Sequence, residues 1–180
     1  MSGTPVTGAR GIVLPLLALL VLRGHLARLP ARPRTALLAA LLLVAAVHVS
    51  EPVRFGAVTW ATAASVALSF AFLCGLPWLV LRRRTAGAGY ARTVLALAAV
   101  EIVGSLAALV LGRGLFSAFR EAPPTVVAVW VAAVLATATW SVAAQARIWR
   151  QATAWRWLAC IALVLAVMAA QVLLLVPLRG

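Results

Sequence analysis

The sequence predicts an all-α, polytopic integral membrane protein: a bundle of six transmembrane helices, or five plus one short amino-terminal segment. Three observations predict it. Of the 180 residues 65% are apolar, and mean hydropathy is +1.09, against about 45–50% apolar in soluble domains. Six apolar runs follow one another across short gaps, and almost every charge sits in a gap. The sixteen cations, all arginine, alternate in density from gap to gap, as the positive-inside rule requires. The whole chain reads as a single transmembrane domain.

The first span, 11–22, is bracketed by Arg10 and Arg23 and is short of the roughly 20 residues a crossing helix needs. Its length suits a signal-peptide core, but no small-x-small site follows, so cleavage is not expected. A short or tilted helix, loosened by Pro15, is the better reading. Four arginines with Pro30 and Pro33 then make a basic, helix-breaking loop. The second span, 35–49, ends towards Pro52, which marks a turn. The third, 55–81, is the longest, with Pro77 in its last turn and Trp78 at the interface. Three guanidiniums, Arg82, Arg83 and Arg84, cannot follow an apolar helix through a bilayer and hold the next loop in the cytoplasm. A glycine–alanine linker leads to the fourth span, 93–111. Gly112-Arg113-Gly114 opens an amphiphilic connector that closes at Pro123-Pro124. The fifth span, 125–146, exits through Arg147, Arg150 and Arg156 interleaved with tryptophans, a headgroup-belt pattern. The sixth is 157–178.

Loops 23–34, 82–92 and 147–156 together carry eleven arginines, and the opposite side carries five. Both termini are therefore expected outside the cytoplasm, in a bacterial plasma (inner) membrane. The bacterial assignment rests on the alanine- and arginine-rich, lysine-free composition. Nucleic acid is not an expected partner despite the pI near 12, because the arginines occupy gaps rather than one face. Anionic lipid headgroups at the cytoplasmic face are expected, at Arg82, Arg83, Arg84, Arg147, Arg150 and Arg156. The chain itself or a larger membrane complex is the other expected partner. Cys74 and Cys160 lie inside apolar spans and read as small buried hydrophobes.

Glu101 is the leading candidate for chemistry. It falls midway along the fourth span, where a carboxyl group favours its neutral form unless a cation is near. Small residues surround it at helical spacing, with Gly104, Ala108 and Gly112 forming a ridge on which helices approach closely. Two readings stand: a proton relay or cation-binding group, or a neutral acid donating an interhelical hydrogen bond. Ser105 shares the Glu101 region. Thr62, Ser65 and Ser69 on the third span, Thr137, Ser141 and Gln145 on the fifth, and Gln171 on the sixth form polar stripes. They either line a path or act as hydrogen-bond glue between helices, and glue is the favoured reading. On the outer side, His48 and Glu51 share a helical face and Glu121 lies in another outer loop. One histidine and two carboxylates at an interface fall short of a metal site.

Hydrolytic chemistry finds no support. There is no Asp for a triad, no GxSxG, no Ser–Lys pair and no Lys for a phosphate loop. No cofactor or metal is expected. The sequence points first to a non-enzymatic membrane subunit or assembly protein. A small permease or proton-linked carrier using Glu101 is the alternative, and an intramembrane enzyme on a lipid-like substrate a second.

Overall fold

The structure, a computed structural model, describes residues 10–29, 34–54, 60–82 and 88–175, and every regular element in them is helical. The elements are α1 (Arg10–Leu20), a 3₁₀ turn (Leu26–Arg28), α2 (Arg34–Arg54), α3 (60–81), α4 (Ala88–Glu121), α5 (Pro124–Thr153) and α6 (Trp157–Leu175). α4 and α5 are each long and apolar enough to cross a membrane. Shorter apolar stretches lie in α2 (Leu37–Ala46), α3 (Val66–Leu81) and α6 (Trp157–Gln171).

α3 is one helix with a π turn at Ala71–Gly75. Pro77 has no N–H, and its ring would meet the carbonyl of Leu73 in a regular α-helix, so the backbone widens one turn earlier. Gly75 and Leu76 keep right-handed helical angles, and the helix continues without a break. The Tyr90 hydroxyl, at the start of α4, donates to the Cys74 carbonyl within the widened turn at 3.3 Å.

Three helices run further than the composition suggests. α2 passes through Pro52 to Arg54. α4 does not stop at Leu111 but continues through Gly112-Arg113-Gly114 to Glu121. Each glycine costs a helix about 1 kcal/mol against alanine, and packing offsets it: a Cβ on Gly114 would collide with the Trp130 ring of α5. α5 continues past Ala146 to Thr153, where Ala154 at φ 57° turns the chain and donates back to the Arg150 carbonyl. The α4–α5 connection is tight. Pro123 is extended and Pro124 opens α5, where a missing N–H costs nothing.

α4 is the centre of the bundle. It packs against α5 along its length and also against α1, α2 and the end of α3, while α6 lies on α5 and α3. Residues 93–98 and Val100 are all buried. The core around them takes Val44 from α2, Ile148 and Trp149 from α5, and Cys160 and Val164 from α6.

The chain after α1 hooks back into this core. Leu22 is left-handed at φ 60°, and the amides of Arg23 and Gly24 both donate to the Ala18 carbonyl, at 2.8 and 2.6 Å. Leu26 and Leu29 then insert as buried side chains. His25 caps the 3₁₀ turn, its Nδ1 accepting from the Ala27 amide. α5 secures the hook: Leu26 N–H donates to Gln151 Oε1 at 2.7 Å, and Gln151 Nε2 donates to Gly24 O at 3.1 Å. Trp140 Nε1 donates to Leu20 O at 2.8 Å. The arginine-bearing loop after α1 and the basic end of α5 thus share one end of the bundle.

Candidate cleft between the helices

Away from that end the packing opens into a cleft of about 430 Å³. One wall is the second half of α4, where Glu101, Gly104, Ser105, Ala108 and Gly112 recur on one face. Small residues are why space remains. A Cβ at Gly104 would find only Ser141 Oγ, at 3.8 Å, and a Cβ at Gly112 would meet nothing within 4 Å. The ridge therefore borders the opening, and the close approach of α4 to α5 occurs at Gly114 instead.

The facing wall is α5. Thr137, Ser141, Gln145 and Trp149 follow at steps of four, which places them on one helical face. Thr137 Oγ1 donates to the Ala133 carbonyl at 2.9 Å, and Gln145 Nε2 lies 3.5 Å from Ser141 Oγ. These bonds stay within α5 rather than crossing to another helix. Ser69, Phe72, Leu73 and Leu76 enter from α3, around its π turn, and Met168 and Gln171 from α6.

Of the polar candidates that the sequence places in apolar spans, Glu101, Ser105, Ser69, Thr137, Ser141, Gln145 and Gln171 all line this one cleft. The side chains of Thr62 and Ser65 lie outside those the structure describes, as do those of His48 and Glu51. Glu121 is exposed at the end of α4. No group of three potential metal ligands occurs among the described residues.

The basic residues divide. Arg82 is exposed with its guanidinium 5.2 Å from the Trp78 ring centroid, and Arg150 lies 5.9 Å from that of Trp157. Arg156 is exposed, and Arg83 and Arg84 lie outside the described residues. Arg147 turns inward: its Nη2 donates to Gly24 O at 3.3 Å, and its Nε is buried without a hydrogen-bond partner. Trp149 turns inward as well. It reads in sequence as part of an interfacial belt, yet it is 3% exposed and closes the deep end of the α5 stripe. The step of four from Gln145 is the signal that places it there.

Neither a protein-family model, nor a characterised protein, nor a solved structure matches this chain.

Proposed function

We propose that the chain is a polytopic plasma-membrane protein, a small permease whose substrate site is the cleft around Glu101. One observation carries the reading: the polar side chains scattered over four apolar helices converge on a single opening. Its 430 Å³ fits a small molecule, since ligand sites commonly span about 300–1,000 Å³. The intrahelical bonds of Thr137 and Gln145 also argue against these residues serving as glue between helices.

The membrane setting is supported by the outer surface. Leu38, Val110, Phe116, Val129, Leu158 and Leu173 are all more than half exposed, a distribution that water penalises and lipid does not. At 1.5 Å per residue the 11 residues of α1 reach about 16 Å, half a bilayer core, which favours five crossing helices and one short one. With the hook after α1 and the basic end of α5 joined, two of the arginine-rich loops share a face, the cytoplasmic one in this reading.

The test is water access. In a chain carrying Cys74→Ala and Cys160→Ala, Ala138→Cys lines the cleft and Val129→Cys faces outward. Maleimide needs a hydrated thiolate, so reconstituted protein should label rapidly at 138 and scarcely at 129. Equal inertness at both positions would mean a sealed bundle and leave the non-enzymatic subunit reading in place. A reporter fused after Arg84 should appear cytoplasmic.

A further inference from the structure

We infer that the joint between the hook and α5 is a site for a phosphate ester, held by Arg23, Arg28, Arg147 and Arg150. The inference uses neither the cleft nor Glu101. The two segments are clamped together: Arg147 Nη2 and Gln151 Nε2 both donate to Gly24 O, at 3.3 and 3.1 Å, and Leu26 N–H donates to Gln151 Oε1 at 2.7 Å. Arginines flank each of these contacts. Arg23 adjoins Gly24, its own amide tied to the Ala18 carbonyl, and Arg28 closes the 3₁₀ turn that Leu26 opens. Arg147, Arg150 and Gln151 are neighbours on one face of α5. Two distant segments of the chain thereby bring four arginines to one joint.

Among the described residues no acidic one shares this joint. The chain has three, Glu51, Glu101 and Glu121. Glu101 faces the cleft, whereas Arg147 faces the hook. Glu121 closes α4, about 50 Å along that helix from its start, and Glu51 lies about 25 Å along α2 from the end that follows the hook. Arg23, Arg28 and Arg150 are exposed; Arg147 is half-buried, and its Nε has no hydrogen-bond partner among the described residues. An anion beside Arg147 would supply both opposite charge and acceptors. A guanidinium is a planar fork that takes an oxyanion through paired N–H···O bonds. Four forks offer more donors than one carboxylate can accept, and a phosphate ester, with several free oxygens, answers that surplus. The Arg150 guanidinium lies 5.9 Å from the Trp157 ring centroid, and in the membrane setting proposed above that indole sits at headgroup depth. A phospholipid headgroup and a soluble phosphate ester share this chemistry.

The experiment is calorimetry on the full chain in a neutral detergent with three probes: dioleoylphosphatidylglycerol, dioleoylphosphatidylcholine and glycerophosphate. Phosphatidylglycerol should bind saturably. Phosphatidylcholine, whose phosphate is already paired with its own cation, should bind at least roughly tenfold more weakly. Glycerophosphate binding as tightly as the lipid would assign the site to a soluble ester, and binding that needs the acyl chains would assign it to a headgroup; either result upholds the site. Arg147→Lys keeps the charge but loses the fork, and should weaken binding roughly tenfold. Arg23→Gln should weaken it by a similar factor, and this exposed position decides the same point if Arg147→Lys does not fold. Arg120→Gln removes an equal charge at the other end of α4, where that guanidinium lies 4.7 Å from the Phe116 ring centroid, and should leave binding unchanged. Equal weakening by Arg120→Gln would mean attraction to net charge alone and overturn the site. Equal binding of the two lipids, or no saturable binding of any probe, would overturn it as well.

Discussion

The two halves of α4 are both largely apolar and have opposite surroundings. From Thr93 to Val100 almost every side chain is buried against α1, α2 and the hook. Beyond Glu101 the helix carries exposed Val103, Leu106 and Val110 on one flank and the cleft on another. Bulk decides the difference. Leu95 and Val100 fill space that converging helices must close, whereas Gly104, Ala108 and Gly112 leave space that α5 lines with hydroxyls and an amide. One half of α4 is packed and the other borders a cleft.

The sharpest break of that contrast is Gly24→Ala. A Cβ at this position would stand against the backbone of Ala18 and Leu19, atoms that cannot swing aside. The hook would have to leave the core, carrying Leu26 and Leu29 with it. We expect a cost of about 3 kcal/mol or more, read as loss of the monodisperse peak in size-exclusion chromatography.

Next is a matched pair on α4 itself. Leu95 is 1% exposed and Leu106 48%. In the lipid setting proposed above truncation loses packing rather than hydrophobic transfer, and only the buried site leaves a cavity. Leu95→Ala should cost about 2–3 kcal/mol and Leu106→Ala within about 0.5 kcal/mol, compared by thermal unfolding in one detergent. Equal shifts would mean the two halves are packed alike.

Gln151→Leu has a smaller effect. It removes the acceptor of Leu26 N–H and a donor to Gly24 O, while Arg147 still reaches that carbonyl. Leaving one buried amide unpaired costs about 1–3 kcal/mol, and hydrogen exchange at Leu26 should accelerate before that of Leu95. Simultaneous acceleration of both amides would show the hook and the core opening as one unit.

The helical segments were legible because a run of apolar residues records its own burial. Glu101 and the α5 stripe were legible because polar residues in such runs are few and their spacing is helical. Helix ends were not. Pro52 and Gly112-Arg113-Gly114 carry stop signals, and the backbone continues through both, at Gly114 because Trp130 packs where a Cβ would stand. The direction in which Arg147 and Trp149 face was not legible either: a local pattern of cations and indoles looks the same whether it faces headgroups or the Gly24 carbonyl and the core. Which it faces is set by a hook more than a hundred residues away.

The smallest expected effect is also the most discriminating about the cleft. Gly112 lies in the interior of α4, where alanine is the better helix former by about 1 kcal/mol. At a packed glycine that gain is lost to collision, as it would be at Gly114, but a Cβ on Gly112 meets nothing within 4 Å. Gly112→Ala should therefore be neutral or raise stability by up to about 1 kcal/mol, seen as a small rise in unfolding temperature. The added methyl projects into the cleft, so a molecule bound there should feel it more than the fold does. A Gly112→Ala chain that unfolds earlier would mean another helix occupies that space, and the open half of α4 would then be a packed half in the membrane.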